Sequence, residues 1–207
     1  MTSRPSSQSG YTVILIDNAM LPPPPPPSNW PKCYPIVYHN IEADFTNEDF
    51  KKKLRRSYFL FKFYFVTLLA NSIADIAISI TYLSGAQIVS QIIASALYLF
   101  LMPIGDFFLR HMSLYYGYKM NSEMMFRYYF LGEAIVIIFG LFIGIGFVND
   151  GSSGTLGAVK LFERGYYVAG VFTGIFLVLD VVQTILHIIL TAQVCPFVFR
   201  GGVNDSC

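Results

Sequence analysis

Four long apolar runs, separated by short polar segments, make up most of the chain after residue 57. A helix that crosses a hydrocarbon core about 30 Å thick needs about 20 apolar residues, and each run meets that length. Backbone groups surrounded by lipid must be hydrogen-bonded within their own segment, so the pattern predicts helices. The predicted spans are 58–83, 88–109, 128–148 and 166–194.

The pattern therefore predicts an all-α membrane protein with four transmembrane helices, preceded by an extended, largely disordered tail rich in proline. We place the tail, with a basic segment next to the membrane, at 1–56, the membrane domain at 57–200 and a C-terminal tail at 201–207. Composition agrees, because 54% of the residues are hydrophobic and only 13% are charged, whereas soluble domains carry about 25% charged residues. The net charge of +1 gives no reason to expect a nucleic-acid partner.

Lysine and arginine residues collect on one side of the predicted membrane. The sequence KKKLRR (Lys51–Arg56) stands directly before the first span, and Arg110, Lys119 and Arg127 lie between the second and third spans. The other two links carry no excess of basic residues. Because basic residues favour the cytoplasmic side, we expect both termini and the middle link to be cytosolic. A glycosylation sequon at Asn204 should then stay unmodified.

Paired glycines and one proline indicate how the spans are shaped and packed. Gly140 and Gly144 form a GxxxG pattern in the third span, and Gly170 and Gly174 form another in the fourth. Since small residues at this spacing allow helix backbones to approach closely, these two faces are predicted to pack together. Pro103 interrupts the second span near its end and is expected to kink it.

The tail contains two candidate partner-binding motifs. Six consecutive prolines fix a polyproline II rod, which suits either a ligand for a domain with an aromatic groove or a stiff spacer. These residues are Pro22, Pro23, Pro24, Pro25, Pro26 and Pro27. Tyr11 and Ile14 form a Tyr-x-x-apolar motif, which vesicle-coat adaptors bind by strand addition. The expected partners are cytosolic trafficking adaptors or polyproline-reading domains.

Cysteine spacing predicts neither a metal site nor a disulfide framework, because Cys33, Cys195 and Cys207 lie far apart. They are interpreted as free thiols, with palmitoylation of Cys195 just past the last span as the alternative. No cofactor is expected. We do not expect an enzyme either, since the sequence shows no Ser, His and Asp set and no phosphate-binding glycine loop.

The link between the second and third spans combines cations with aromatic residues and suits neither water nor hydrocarbon. We expect Arg110–Arg127 to lie along the membrane surface, with its rings at the headgroup boundary and its cations against anionic lipid. Each such cation contributes about 1 kcal/mol to membrane binding. The candidate lipid-binding residues are Lys51, Lys52, Lys53, Arg55, Arg56, Arg110, Tyr115, Tyr116, Tyr118, Lys119 and Arg127. The alternative is a loop that interfacial aromatic residues merely anchor.

Five ionisable residues fall within or near the predicted hydrocarbon region: Asp75, Asp106, Glu133, Asp180 and His187. A charge there costs about 2.5–3.5 kcal/mol on insertion scales, which by default marks a functional site. Three have candidate structural partners, namely Arg110 for Asp106, Lys62 for Glu133 and Asn71 for Asp75. Asp180 and His187 lack an evident partner and share a helix face, so a small proton or cation transporter is the rival hypothesis. Against it, no inverted repeat or broken helix is visible.

A motif before the first span resembles one known family. Within NWPKCYPIVYHNI, seven positions match the pre-membrane motif of the secretory carrier membrane proteins: Asn29, Trp30, Pro31, Pro35, Ile36, His39 and Ile41. Three further stretches are similar to that family, VTLLAN at 66–71, LFLMP at 99–103 and YYGYKMNSEMMF at 115–126. The resemblance extends over about 29–200.

This resemblance implies an integral membrane component of post-Golgi and endosomal carriers, acting in exocytosis, endocytic recycling and protein transport. The implied locations are the trans-Golgi network, recycling endosomes, secretory vesicles and the plasma membrane. The resemblance also implies that the aromatic and basic segment gathers phosphoinositides, and it leaves a homo-oligomer open. The tail lacks the Asn-Pro-Phe repeats with which many members bind endocytic adaptors, so the chain resembles a short, divergent member.

Overall fold

The computed structural model describes residues 26–81, 83–147 and 151–199 and divides into two compact units, Met1–Asn40 and Ile41–Cys207. The division falls after residue 40 instead of residue 56, because Ile41, Phe45 and Leu54 are buried in the core of the second unit. Several predicted features lie outside the described residues: Tyr11, Ile14, Pro22, Pro23, Pro24, Pro25, Asn204 and Cys207. Pro26 and Pro27 are exposed and belong to no helix.

In the first unit, the chain turns back on itself between residues 29 and 37. The backbone amides of Asn29 and Trp30 both donate to the Val37 carbonyl at 2.9 Å, and the Val37 amide donates back to Trp30 at 3.0 Å. The bond between Trp30 and Pro31 is cis. Asn29 Oδ1 also accepts the His39 amide at 2.7 Å. The spacing of Asn29, Trp30 and His39 thus corresponds to one closed turn.

The second unit is built of helices. They are α1 (Ile41–Asp44), α2 (Glu48–Thr81), α3 (Ala86–Gly105), a π-helical segment (Asp106–His111), α4 (Met112–Met120), α5 (Glu123–Ile145), α6 (Thr155–Glu163) and α7 (Tyr167–Phe199). Four stretches are long and apolar enough to cross a membrane, namely α2, the continuous helix Ala86–Met120, α5 and α7. The predicted all-α membrane protein with four spans is confirmed for the described part of the chain.

The first crossing helix begins well before the predicted start at residue 58. Asn47 Oδ1 accepts the amides of Asp49 at 2.8 Å and Phe50 at 3.3 Å, which is an N-cap. Glu48 and Asp49 then place negative charge against the positive end of the helix dipole. The basic residues 51–56 consequently lie on the first turns of a helix that continues into the membrane domain.

The link between the second and third spans differs from the prediction. The helix continues past Pro103, widens to π geometry at Asp106–His111 and ends only at Met120. Asn121 then adopts a left-handed conformation with φ of 48°, which Asn tolerates better than most residues, and α5 begins at Glu123. The prediction that Arg110–Arg127 lies flat along the membrane is therefore wrong. This segment consists of two helix ends joined by a tight turn.

The second unit has apolar side chains outside and polar side chains inside. On α2, the buried polar residues are Ser57, Thr67, Asn71, Asp75 and Ser79, while Ile73, Ile76 and Ile80 are exposed. Lipid can cover the apolar surface, and the polar groups can hydrogen-bond between helices. We call the end where α2 and α5 begin and α4 and α7 end the basic end, and the opposite end the loop end.

Candidate functional site

Arg110 lies in the interior of the basic end, where two elements position it. Its guanidinium donates to both carboxylate oxygens of Asp106, from Nε to Oδ1 and from Nη2 to Oδ2 at 2.9 Å. It also donates to the Ser57 hydroxyl at 2.9 Å and the Ser57 carbonyl at 3.1 Å. The predicted Asp106 and Arg110 pair is confirmed. The predicted lipid contact of Arg110 is wrong, because the residue has 0% exposure and its donors are used inside the protein.

Glu133 joins this pair to the fourth crossing helix. Its Oε1 lies 3.5 Å from Arg110 Nη1, and its Oε2 lies 2.7 Å from His187 Nδ1. The predicted bridge from Glu133 to Lys62 is wrong, because Glu133 points into the bundle while Lys62 is exposed. The Lys62 ammonium lies 4.4 Å above the Tyr58 ring instead.

His187 extends the chain of contacts toward the middle of the bundle. Its Nε2 lies 3.1 Å from Gln183 Nε2, and Gln183 Oε1 accepts the Thr67 hydroxyl at 2.9 Å. With the Gln183 amide donating, His187 accepts at Nε2 and carries its proton at Nδ1, toward Glu133. We call Ser57, Thr67, Asp106, Arg110, Glu133, Gln183 and His187 the buried network.

The buried network ties all four crossing helices together. The guanidinium of Arg110 faces two carboxylates, those of Asp106 and Glu133. Gly132 allows the approach, since a Cβ there would lie 3.0 Å from the Arg110 Cα. Such a network can hold helices in register, because removing one member leaves the others buried without partners.

A second cluster lies at the loop end and is neutral apart from one carboxylate. Asn71 donates to Asp75 at 2.8 Å, as predicted, and also to the Gly151 carbonyl at 2.9 Å. Gln91 donates to Asp75 at 2.7 Å and to the Ser152 carbonyl at 3.1 Å. The backbone of 151–153 is thus held inside the bundle, a feature that the sequence analysis missed. Its sequence signal is Gln91, an amide within an otherwise apolar span.

Only one of the two glycine patterns lies against another crossing helix. A Cβ on Gly144 would lie 2.7 Å from Asp180 Oδ2, and one on Gly140 would lie 3.3 Å from Oδ1, so this face of α5 touches α7. By contrast, a Cβ on Gly170 would meet the Phe162 ring of α6, and one on Gly174 would meet nothing within 4 Å. The predicted contact between the two GxxxG faces is wrong, because the α7 pattern points away from α5.

The transport hypothesis joined Asp180 with His187. Asp180 is buried against the α5 glycines, but His187 bonds to Glu133 and Gln183. The expectation that His187 lacks a partner is therefore wrong, whereas Asp180 belongs neither to the buried network nor to the loop-end cluster that contains Asp75.

The remaining candidate lipid-binding cations lie at the basic end, and we call them the basic rim: Lys51, Lys52, Lys53, Arg55, Arg56, Lys119 and Arg127. Five of the seven pair with carboxylates, at distances of 2.6–2.8 Å: Lys51 with Glu48, Lys53 with Asp49, Arg55 with Glu42, Lys119 with Asp44 and Arg127 with Glu123. Arg56 bonds to the neutral amide of Gln193 at 2.6 Å, and Lys52 is exposed. The described rim therefore holds a surplus of two positive charges, on Lys52 and Arg56.

The predicted lipid-facing tyrosines are placed differently from one another. Tyr115 and Tyr118 are buried in the core at the basic end, and Tyr116 is half-buried against it. The Tyr115 hydroxyl bonds to Asp44, and its ring packs edge-on against Phe45. Contact of Tyr115 and Tyr118 with lipid headgroups is wrong, since both rings are buried. The Tyr118 ring packs on Phe50, Phe126 and Phe197.

The pairing of Glu42 with Arg55 has an electrostatic consequence. Arg55 donates to both Glu42 oxygens, at 2.8 and 2.7 Å. This hydrogen bonding, reinforced by the charge of the guanidinium, lowers the pKa of Glu42 below its usual value. The same pair raises the pKa of Arg55. Both groups are therefore charged over the physiological range.

The cysteines and candidate metal ligands add no further site. Cys33 is exposed and Cys195 is half-buried, and both are free thiols, so palmitoylation of Cys195 stays a prediction. Within 26–81, 83–147 and 151–199, no group of three His, Cys, Asp or Glu side chains could hold a metal ion.

Comparison with known proteins agrees with the residues that carry the pre-membrane motif. The model of the SCAMP family matches residues 27–200. Secretory carrier-associated membrane protein 5 of Arabidopsis thaliana is 26% identical over 178 residues, which cover 84% of this chain and 59% of that protein. The chain thus matches somewhat under two thirds of the length of this relative. No solved structure matches the chain.

Proposed function

The chain belongs to the SCAMP family of membrane proteins, and on that basis we propose that it is an integral component of membrane carriers in vesicle trafficking. The carriers would be post-Golgi and endosomal, and the processes would be exocytosis, endocytic recycling and protein transport. The observation that carries this proposal is the family match, which extends from the pre-membrane turn through all four crossing helices. The name of the plant relative, a secretory carrier protein, supports the same function.

The distribution of charge supports an orientation for this function. The basic rim lies at one end of the four crossing helices, and we propose that this end faces the cytosol. Its exposed cations Lys52, Arg56 and Arg127 would then contact anionic lipid, including phosphoinositides, at sites of membrane remodelling. The buried network would hold the four helices together, whereas the basic rim and the tail would bind lipid and protein partners.

Localisation tests the proposal. A tagged chain should be found on trans-Golgi, endosomal or secretory membranes, and replacing Lys52, Arg56 and Arg127 with Gln should reduce its presence on budding or fusing carriers. The matched control replaces Lys160 and Arg164 at the loop end with Gln and should leave the distribution unchanged. An impermeant reagent should label Lys52 only after the membrane is opened. Labelling of Lys52 in intact cells would contradict the orientation, and absence from carriers would contradict the function.

One observation supports a second function, proton or cation transport. Asp180 has 5% exposure at the level of two glycines, and a buried carboxylate within a span often marks an ion path. Flux across liposomes that hold the purified chain, lost in Asp180→Asn, would favour transport. If neither the original chain nor Asp180→Asn raises flux above that of empty liposomes, Asp180 serves in helix packing only.

A further inference from the structure

A groove runs between the first and fourth crossing helices next to the basic rim. It has a volume of about 250 Å³ and is formed by Phe59 and Leu60 of α2 together with Leu186, Ile189 and Leu190 of α7. Leu60 and Leu190 are buried and form its floor, whereas Phe59 and Ile189 are about half exposed and form its walls. Because these walls belong to the apolar outer surface, the groove opens toward the hydrocarbon of a surrounding membrane.

Polar groups occupy one end of this groove. Arg56 precedes Leu60 by one helical turn, and Gln193 follows Ile189 by one turn, so both lie nearer the basic end than the apolar lining. The groove is therefore apolar in the direction of the membrane centre and cationic toward the membrane surface. A phospholipid, with its acyl chains inside and its phosphate at the surface, has the same polarity.

Arg56 has the capacity to bind an anion. It uses Nη1 on the neutral Gln193 amide at 2.6 Å, and in the described chain no carboxylate pairs with it. Five of the other six rim cations are paired with carboxylates. A guanidinium has five N–H donors in a planar fork that matches phosphate oxygens, so Arg56 keeps both its charge and most of its donors.

We propose that this groove binds one anionic glycerophospholipid, with an acyl chain along Leu60 and Leu190 and the phosphate on Arg56. Basic pockets between crossing helices are known sites for anionic headgroups. This inference deepens the proposed function, because it assigns lipid recognition at the basic end to one built site between two helices. Gln193 would act as the positioning residue that holds the guanidinium at the mouth of the groove.

Photo-crosslinking of the purified full chain in nanodiscs tests this site. The probes are phosphatidylserine and phosphatidylcholine that carry the same diazirine on one acyl chain, each at low abundance in a phosphatidylcholine bilayer. The phosphatidylserine probe should label peptides of 186–193 more strongly than the phosphatidylcholine probe. Arg56→Gln should reduce that labelling about fivefold, the effect of one interfacial cation. Lys160→Gln, which removes an exposed cation at the loop end, should leave it unchanged.

A second variant distinguishes the effect of blocking the groove from the effect of removing the Arg56 charge. Leu186→Trp should reduce labelling by both probes while Arg56 is intact, and circular dichroism melting checks that the variant is folded. If this variant does not fold, the contrast between Arg56→Gln and Lys160→Gln still decides the matter. Equal labelling by the two probes, or equal effects of those two substitutions, would overturn the proposal. Labelling concentrated on another part of the chain would place the lipid elsewhere and overturn the proposal.

Soluble glycerophosphate should not compete with the lipid probe, because it lacks the acyl chain; competition would show that a free phosphate suffices and would overturn the lipid assignment. The assay is independent of cellular location. A chain absent from vesicle carriers but labelled as predicted would refute the proposed function and leave the groove site standing. The reverse result would refute the groove alone.

Discussion

Arg110 in the buried network and Arg127 in the basic rim are both arginines that pair with an acidic residue four positions before them. Arg110 has no exposed surface and touches Asp106, Ser57 and Glu133, which belong to three different elements. Arg127 is exposed and bonds to Glu123 on its own helix at 2.6 Å. The comparison teaches that the same local charge pattern can join helices or merely cover a surface. Which it does depends on the direction the helix face points.

The largest expected effect is that of removing the buried cation. Arg110→Gln leaves Asp106 and Glu133 buried without a positive partner, which should cost about 3–5 kcal/mol of stability. The thermal unfolding midpoint in detergent, followed by circular dichroism, should fall strongly. Arg127→Gln is the matched control and should leave the midpoint almost unchanged, because exposed pairs contribute little. Equal midpoints for the two variants would remove the distinction between network and rim.

The next largest effect is expected at a buried residue that carries no charge. Asn71→Leu removes an amide that bonds to Asp75, to the Gly151 carbonyl and to the Ser153 amide. Leaving such groups unsatisfied should cost about 1–3 kcal/mol. The segment 151–153 should also become accessible to protease or to amide hydrogen exchange. Unchanged exchange there would show that other contacts hold the loop inside the bundle.

Close helix approach to the buried network should give a comparable effect. A Cβ on Gly132 would lie 3.0 Å from the Arg110 Cα, so Gly132→Ala must push the π-helical segment away. Such overpacking should cost about 1–3 kcal/mol, measured as a lower unfolding midpoint. Gly174→Ala is the control, since nothing lies within 4 Å of its Cβ position. It should be neutral or stabilise the helix by up to about 1 kcal/mol. A loss of stability in Gly174→Ala would contradict the assignment of the packed face.

The sequence was sufficient for the four spans, because a run of about 20 apolar residues has few alternatives to a membrane helix. It also predicted the pairs of Asp106 with Arg110 and of Asn71 with Asp75, since residues four apart on a helix are neighbours. It failed for Glu133, whose partners on two other elements, Arg110 and His187, depend on how each helix is rotated in the bundle. The insertion of 151–153 was harder to predict, because Gln91 and Asn71 reveal buried amides but not which backbone groups they bond to.

The same reasoning explains the error over Arg110–Arg127. Basic and aromatic residues between two spans are typical of an interfacial strip, and composition alone does not show that the helix continues. Pro103 predicted a kink near the end of the second span at residue 109, but the helix continues beyond that residue and carries Asp106 and Arg110 on a π-helical segment. The aromatic residues that follow, Tyr115 and Tyr118, then serve the core.

The smallest expected effect concerns the rim's contact between α1 and α2. The pKa of Glu42 is lowered by its hydrogen bonds from Arg55, so this contact stabilises the fold above the ordinary pKa of a glutamate and is lost as pH falls through the lowered value. Amide hydrogen exchange of Ile41–Asp44, corrected for its intrinsic pH dependence, should be flat between about pH 5 and 8 and accelerate below about pH 4.5. Glu42→Gln should show the faster exchange at every pH. Because Asp44 also holds α1 through Lys119 at 2.6 Å, the helix should loosen without leaving the bundle. Complete protection in Glu42→Gln would mean that Asp44, Ile41 and Phe45 hold α1 without the arginine. The ion pairs of the basic rim would then contribute even less to stability than those of the buried network.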